Sequence, residues 1–260
     1  MKQVNWYQIF GNTHTIPDGS TVTPTDDVQI LLNCANIWNK AYTTISDLLS
    51  DTTSLLAVIV DNNAINYLVR STTFASAVTA DSTAMTDIGS NNYASNTLLA
   101  DATWATAICN SEYFESVLNA KAPIMTSNTT PEGVAFASVT NSIAYYAFDG
   151  NSNTGWRSET TGTANIGRIG YKFTDPVEVR KIKHKTAVLE NAVYQIQYSD
   201  DGVTWNTVSN SNYNTSNGVT VDKNIDSVGE HLYWAANHVS SVSTSRADAR
   251  MLQFYGREDV

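Results

Sequence analysis

Residues 51–120 form seven consecutive blocks of ten residues, which read DTTSLLAVIV, DNNAINYLVR, STTFASAVTA, DSTAMTDIGS, NNYASNTLLA, DATWATAICN and SEYFESVLNA. The blocks follow one another without an insertion or a deletion, and their eighth column is always aliphatic. The first column always holds Asp, Asn or Ser, residues that commonly cap the start of a helix. A fixed period of this kind is typical of an extended repeat rather than of an enzyme scaffold.

Columns four and eight of the repeat lie four residues apart, so they share one face of a helix. Each block is therefore predicted to hold a cap, about two helical turns and a corner. The alternative is one continuous helix, in which ten residues make roughly 2.8 turns and the apolar stripe rotates from block to block. Helices this short are unstable alone, and many of their side chains are small. We therefore expect several chains to wind together, most simply as a homotrimer.

The charge of the chain is negative, with a net value of −10 over 260 residues. Residues up to Lys121 carry eleven acidic and four basic side chains, and the rest carry fourteen and eleven. This balance argues against nucleic acid as a partner, which requires a basic surface. The N-terminal MKQVNWYQIF lacks the apolar segment of a signal peptide, and the longest apolar run, LLAVIV at 55–60, is too short to insert into a membrane. A polar, surface-type composition without a secretion signal fits a virion protein that is released by lysis.

The pattern divides the chain into three parts. Residues 1–25 combine aromatic and turn-forming residues and predict an N-terminal attachment arm, with a small β-cap on the repeat as the alternative. Residues 26–121 form the repeat rod. Short β-branched and aromatic segments separated by turns then predict an all-β sandwich or jelly roll over 122–260. The expected fold class is therefore α+β in two domains.

Five motifs follow one another in the second half: AYYAFDGNSNTGW (144–156), IGYKF (169–173), YQIQYSDDGVTW (194–205), HLYW (231–234) and LQFYG (252–256). Together they resemble a discoidin, or coagulation factor 5/8 type C, domain, a family also called carbohydrate-binding module family 32. The resemblance covers residues 122–260. It implies a jelly-roll sandwich whose loops at one end bind glycans or, in some members, lipid head groups, and it implies a binding module rather than a catalyst.

The resemblance also implies a structural calcium ion in the loop that contains AFDGNSNTGW. Carried over, Asp149 would supply a carboxylate oxygen, Asn151 a backbone carbonyl and Thr154 a hydroxyl, all hard ligands of the kind that calcium prefers. The family often adds a glutamate on its last strand, where this chain has Met251 or Gln253. The alternative is a tight loop held by its own hydrogen bonds, with Asp149 accepting from backbone N–H groups.

Glycan contacts are expected from polar residues in or beside the loops, each of which has an ordinary solvated loop residue as its alternative. The candidates are Arg157, Arg168, His184, Asn191, Tyr213, His238 and Arg246. The motif tryptophans are expected to pack between the sheets; they are Trp156, Trp205 and Trp234. Strand alternation in the basic run at 180–185 puts the lysines on one face and Ile182 on the other, which predicts a solvated face rather than an anion site.

Catalysis is not expected, because the four histidines show no metal-ligand spacing and the repeat and the sandwich account for nearly the whole chain. The two cysteines, Cys34 and Cys109, are predicted to be buried thiols rather than a disulfide.

The order of arm, rod and terminal domain resembles that of a bacteriophage fibre, with a head fibre favoured over a tail fibre. The N-terminus would dock on a capsid protein, and the C-terminal domain would adhere to host-surface or mucus glycans from the virion surface, outside the cell after lysis. The alternatives are a purely structural capsid decoration protein without a ligand, and a bacterial surface adhesin or accessory carbohydrate-binding module.

Overall fold

The computed structural model of the protein describes residues 14–15, 21–22, 59, 62–69, 72–159, 161–187, 191–216 and 218–257. Contacts divide the chain into two compact units, with the division between Leu118 and Asn119. Most of the predicted arm, the start of the predicted rod and Cys34 lie outside the described residues. Within the arm, β1 (His14–Thr15) pairs antiparallel with β2 (Thr21–Val22).

The first unit holds one short helix in each block from 61 to 110. The helices are α1 (Asn62–Leu68), α2 (Thr72–Thr79), α3 (Ser82–Ser90), α4 (Asn92–Ala100) and α5 (Ala102–Asn110), and a 3-10 turn follows at Phe114–Ser116. The backbone is extended at the column-one residues that separate α3, α4 and α5. The continuous-helix alternative is therefore wrong for this stretch.

Column one caps the helices as its composition predicts. The Asp81 carboxylate accepts a hydrogen bond from the Ala84 N–H at 2.8 Å. The Asn91 side-chain oxygen accepts from the two N–H groups at 93 and 94, and that of Asp101 accepts from those at 103 and 104. Each cap therefore gives a partner to N–H groups that have none within the helix.

The helices coil with three blocks to a turn, because each packs against its neighbour or the helix three blocks on. Thus α1 contacts α4, α2 contacts α5, and α3 contacts the 3-10 turn. Two column-one side chains bond across the turns: Asn91 Nδ2 donates to the Ile59 carbonyl at 2.8 Å, and Ser111 Oγ donates to the Thr79 carbonyl at 2.5 Å. A side chain that caps its own helix therefore also holds the preceding turn.

Within the described part of the repeat, one chain buries columns four and eight by itself. The fully or nearly fully buried members are Leu68, Val78, Ala84, Ile88, Ala94, Leu98, Trp104, Ile108, Phe114 and Leu118. This corrects the argument that the columns need other chains to cover them, because the coil supplies the contacts within one chain. Cys109 is buried in α5, at 2 % exposure. None of the helices in the described ranges has the length and apolar character that crossing a bilayer requires.

The second unit is an antiparallel β-sandwich. Its strands are β3 (Asn119–Ala120), β4 (Val134–Ala137), β5 (Trp156–Arg157), β6 (Gly162–Ala164), β7 (Arg168–Val177), β8 (Val179–Lys185), β9 (Ala192–Ser199), β10 (Asn206–Thr207), β11 (Tyr213–Thr215), β12 (Thr220–Asn224), β13 (His231–Ser245), β14 (Asp248–Ala249) and β15 (Met251–Gly256). The larger sheet has the order β10-β9-β13-β7-β4, with β11 on β9 and β6 on β13. The smaller sheet has the order β12-β8-β15-β3, and β14 pairs with β5. The predicted C-terminal β-sandwich is thus confirmed.

The core lies between the two sheets and follows strand alternation. Ile169, Tyr171 and Phe173 alternate inward along β7, and they face a layer that includes Ile182 and Phe254 from the smaller sheet. The indoles of Trp156 and Trp234 are fully buried, and each donates its N–H to a backbone carbonyl at 3.0 Å. These two tryptophans occupy the core as predicted.

Trp205 departs from the prediction, because it lies half-buried on the outer face of the larger sheet. The Arg168 guanidinium stacks on its ring, with the guanidinium carbon 4.0 Å from the ring centroid. The Phe136 ring is 5.6 Å away, centroid to centroid. The turn before β10 therefore folds this indole over the sheet instead of between the sheets.

Candidate functional site

One end of the sandwich gathers the loops before β7, between β8 and β9, and around the end of β13. We call this surface, formed by residues 157–159, 161–167, 186–187, 191 and 238–250, the loop end. The pairing of β5 with β14 brings Arg157 beside Asp248, and β9 begins opposite the end of β13. The segments that the family resemblance assigns to ligand binding therefore lie together.

A buried carboxylate, that of Asp248, holds three segments of the loop end. Its side chain is 1 % exposed and accepts from Arg157 Nε at 3.0 Å and from the Ala187 N–H at 2.6 Å. Arg250 Nε lies 3.9 Å away. Burial raises the pKa of Asp248, although the Ala187 N–H and the two guanidinium groups act in the opposite direction. The carboxylate thus joins β5 and the residue Ala187, just after β8, to β14.

A layer of buried polar rings lies beneath this carboxylate. His184 Nε2 is 3.0 Å from the Asp248 carbonyl, which can only accept, so this nitrogen carries the proton. His184 Nδ1 then accepts from the Tyr213 hydroxyl at 2.8 Å. The Tyr194 hydroxyl accepts from the Asp248 N–H at 2.9 Å. Burial lowers the pKa of His184 to about 4, so the ring is neutral near pH 7.

Three predicted glycan contacts belong to this buried layer rather than to the surface. His184 and His238 are 0 % exposed and Tyr213 is 6 % exposed. Their side chains support the loop end from below, which corrects the expectation that they face a ligand. His184 lies on the same strand face as Ile182, and strand alternation turns both inward.

The remaining candidates divide between two surfaces. Asn191 and Arg246 are exposed at the loop end, and the Arg157 side chain is 36 % exposed there. Arg168 lies apart from them, since its side chain covers Trp205 and its Nε donates to Gln197 Oε1 at 2.9 Å. The structure therefore brings three of the seven predicted residues together on an accessible surface.

The basic run of β8 is less solvated than predicted. Arg180 and Lys181 are 7 % and 4 % exposed, and only Lys183 and Lys185 remain partly exposed. The Lys181 ammonium pairs with Asp222 at 3.2 Å across the strand pair β8–β12, and Arg180 Nη1 lies 3.2 Å from Glu178 Oε1. The prediction of a solvated face is therefore wrong for the first half of the strand.

The loop predicted to hold calcium is closed by its own hydrogen bonds. Asp149 Oδ1 accepts from the Asn151 N–H at 2.8 Å, and Asp149 Oδ2 accepts from the Thr154 hydroxyl. That hydroxyl lies 2.8 Å from the Asn151 carbonyl oxygen. The three predicted ligand residues do converge, but their oxygens are bonded to one another's donors, as the alternative of a self-bonded loop describes.

The resident groups do not complete a calcium cage. Calcium takes about six to eight oxygen ligands, and this loop contributes one carboxylate. Over the part of the chain that the structure describes, no group of three or more Asp, Glu, His or Cys side chains is placed to hold a metal. A further carbonyl of the loop, that of Asn153, accepts from Arg250 Nη1 at 2.8 Å.

Sequence reasoning missed Asp248, the residue that organises the loop end. It lies in the polar stretch SRADAR, where a single acidic residue gives no signal of burial. Only the pairing of β14 with β5 and the donors from two other segments reveal its role. Tyr194, by contrast, carried a signal, because it alternates inward with Ile196 along β9.

Comparison with known proteins gives one family match, to the F5/8 type C domain over residues 125–230. No curated protein matches the chain. Similar solved structures include the family 32 carbohydrate-binding module of NanJ from C. perfringens in complex with galactose. The two sequences are 18 % identical, the match covers 50 % of this chain and 98 % of that chain, and the TM-score is 0.40. The similar structures also include chitosan-binding module 1 of a chitosanase/glucanase from Paenibacillus sp. IK-5, with 21 % identity, 53 % and 99 % coverage, and a TM-score of 0.39.

The three motifs quoted between 144 and 205 lie inside the matched residues, which also contain strands β4 to β12 of the sandwich. The family match, rather than the structural similarities, carries the assignment. Residues 125–230 are an F5/8 type C domain.

Proposed function

We propose that the protein binds glycans through the loop end of its F5/8 type C domain. The observation that carries this proposal is the family match over residues 125–230. The family resemblance links such domains to glycan-binding loops at one end of the sandwich, where Arg157, Asn191 and Arg246 are accessible in this protein. Guanidinium groups donate hydrogen bonds, and side-chain amides both donate and accept them, so both can bind sugar hydroxyls.

Asp248 prepares this surface for binding. Its carboxylate holds Arg157 Nε at 3.0 Å and the Ala187 N–H at 2.6 Å, both through groups of the protein itself. A surface ordered in advance loses less conformational entropy on binding, so its contacts yield more affinity. Because this carboxylate is buried, it acts on the ligand through the residues that it positions.

A glycan-array screen of the intact protein tests the proposal, with single variants of the exposed residues. Arg246→Ala and Asn191→Ala should weaken binding at least tenfold without changing the unfolding midpoint. Asn206→Ala is the matched control, because Asn206 is exposed on β10 at the opposite end of the sandwich and should leave binding unchanged. Binding that survives both loop-end variants would reject this surface.

We further propose that the chain is a bacteriophage virion protein, a head fibre rather than a tail fibre, that attaches by its N-terminus and displays the glycan-binding domain. The order of arm, repeat and terminal domain along the sequence supports this assignment. Gold-labelled antibody against the protein should decorate the heads of purified phage particles. Labelling of bacterial surfaces alone would instead favour an adhesin, and a blank glycan array with labelled heads would favour a structural capsid decoration.

A homotrimeric fibre would present three loop ends, and linked weak sites gain in avidity. The repeat columns no longer require this assembly, because one chain buries them. Light scattering on the purified protein decides between a homotrimer and a single chain. A mass three times that of the 28.4 kDa chain supports the trimer, and the mass of one chain contradicts it.

A further inference from the structure

A positively charged side chain is bonded to the 149–155 loop, for which the family resemblance implies a calcium ion. The Arg250 side chain extends from the residue before β15, and its Nη1 donates to the Asn153 carbonyl at 2.8 Å. The same guanidinium group has its Nε 3.9 Å from Asp248 Oδ1. Arg250 therefore lies between the 149–155 loop and the buried carboxylate of the loop end.

The loop is shaped to admit this side chain. A Cβ atom added at Gly155 would lie 2.6 Å from Arg250 Cδ and 2.9 Å from the Ala249 carbonyl oxygen. Any larger residue at 155 would therefore displace either the arginine or the backbone of β14. The close approach of Gly155 and Arg250 links the end of the loop to the strand that carries Asp248.

The loop oxygens already have protein donors. Both carboxylate oxygens of Asp149 accept hydrogen bonds, one from the Asn151 N–H and one from the Thr154 hydroxyl. The Asn151 carbonyl accepts from the Thr154 N–H at 3.1 Å. The loop has one carboxylate, and a guanidinium group is bonded to its Asn153 carbonyl. A divalent cation would have to displace these donors and would be repelled by the arginine.

We propose that Arg250 replaces calcium as the cation that holds the 149–155 loop, which makes the fold of this domain independent of metal. The guanidinium group performs two tasks that a metal performs in such a loop. It binds a backbone carbonyl of the loop, and it brings positive charge to the end of the loop, on the side that faces the Asp248 carboxylate. Because the same arginine approaches Asp248, it also couples the 149–155 loop to the loop end. This inference concerns the fold of the domain and does not rest on glycan binding.

Thermal unfolding of the intact protein tests the proposal, first in excess chelator and then in millimolar calcium. The expected midpoint is the same in both, whereas binding of calcium to the native state would raise it. Arg250→Ala should lower the unfolding midpoint by several degrees in both buffers. The midpoint of Arg250→Lys should lie between those of Arg250→Ala and the unchanged protein, since an ammonium group lacks the planar fork of a guanidinium group. Arg257→Ala, which changes a partly exposed arginine just beyond β15, is the matched control and should leave the midpoint unchanged.

Two results would overturn the proposal. One is a calcium-dependent rise in the midpoint of the unchanged protein, and the other is an Arg250→Ala variant as stable as the Arg257→Ala control. Calorimetric titration of the unchanged protein with calcium keeps the proposal testable if Arg250→Ala fails to fold. No heat of binding supports the proposal, and a saturable heat contradicts it.

Discussion

Acidification should destabilise the sandwich through one buried ring, that of His184. The ring is 0 % exposed and lies between the Tyr213 hydroxyl and the Asp248 carbonyl. Burial lowers the pKa of His184 from 6.5 to about 4. The folded ring therefore stays neutral over a range of pH in which the unfolded ring takes up a proton.

The sign follows from proton binding. Between pH 6.5 and about 4 the unfolded chain binds the proton and the folded chain does not, so stability falls as the pH falls through this range. The stabilisation is fully present above pH 6.5 and is lost below about pH 4. Each pKa unit corresponds to about 1.4 kcal/mol, so the full loss is about 3 kcal/mol, of which about 2 kcal/mol is reached at about pH 5.

Denaturant unfolding at a series of pH values, compared with His184→Gln, measures this effect. Glutamine stays neutral and can still donate toward the Asp248 carbonyl, so the variant should be less stable near pH 7 but flatter in its pH dependence. The difference between the two proteins isolates His184 from Asp248, whose raised pKa acts with the opposite sign at low pH. If the stability of the two proteins changed with pH in parallel, or if a His184 proton resonance titrated near pH 6.5, the proposed effect of the buried His184 ring would be wrong.

Three further substitutions test the packing. Gly89→Ala should lower the unfolding midpoint of the repeat in thermal circular dichroism, because the new Cβ would lie 1.7 Å from the Ser116 carbonyl oxygen. In an ordinary helix interior the same change stabilises by about 0.5–1 kcal/mol. A gain in stability would therefore contradict the three-block coil. Asn91→Asp keeps the helix cap but loses the hydrogen bond from the side-chain amide to the Ile59 carbonyl of the preceding turn. It should cost about 1 kcal/mol of stability in the same assay. An unchanged midpoint would argue against that hydrogen bond. Trp234→Ala should lower the free energy of unfolding by about 3–5 kcal/mol in denaturant, and Trp205→Ala should lower it much less. The reason is that Trp234 is fully buried and Trp205 is not. Equal losses would count against the outer-face position of Trp205.

The sequence of the repeat predicts its helices and caps, but not how the helices pack. The caps at Asp81, Asn91 and Asp101 and the burial of columns four and eight follow from local spacing, which depends only on helix geometry. The packing of each block on the third block along does not follow from that spacing. It depends on contacts such as the one from Ser111 to the Thr79 carbonyl, between residues 32 apart in the chain.

The sandwich was predictable from the order of its motifs, and the loop end only in part. Alternation along β8 and β9 carries the signal that His184 and Tyr194 face inward, so their burial could have been found. Asp248 carried no such signal, because its buried carboxylate is bonded to donors that two distant segments supply. The support given by Arg250 to the Asn153 carbonyl likewise joins residues far apart in the chain.

The most direct test of glycan recognition at the loop end is a quantitative binding curve for the best glycan on an array, measured with the unchanged protein, Arg246→Ala and Asn206→Ala. We predict that binding is lost in Arg246→Ala and kept in Asn206→Ala, with all three proteins unfolding at the same temperature. A folded protein that binds no glycan, or equal binding by both variants, would contradict the account.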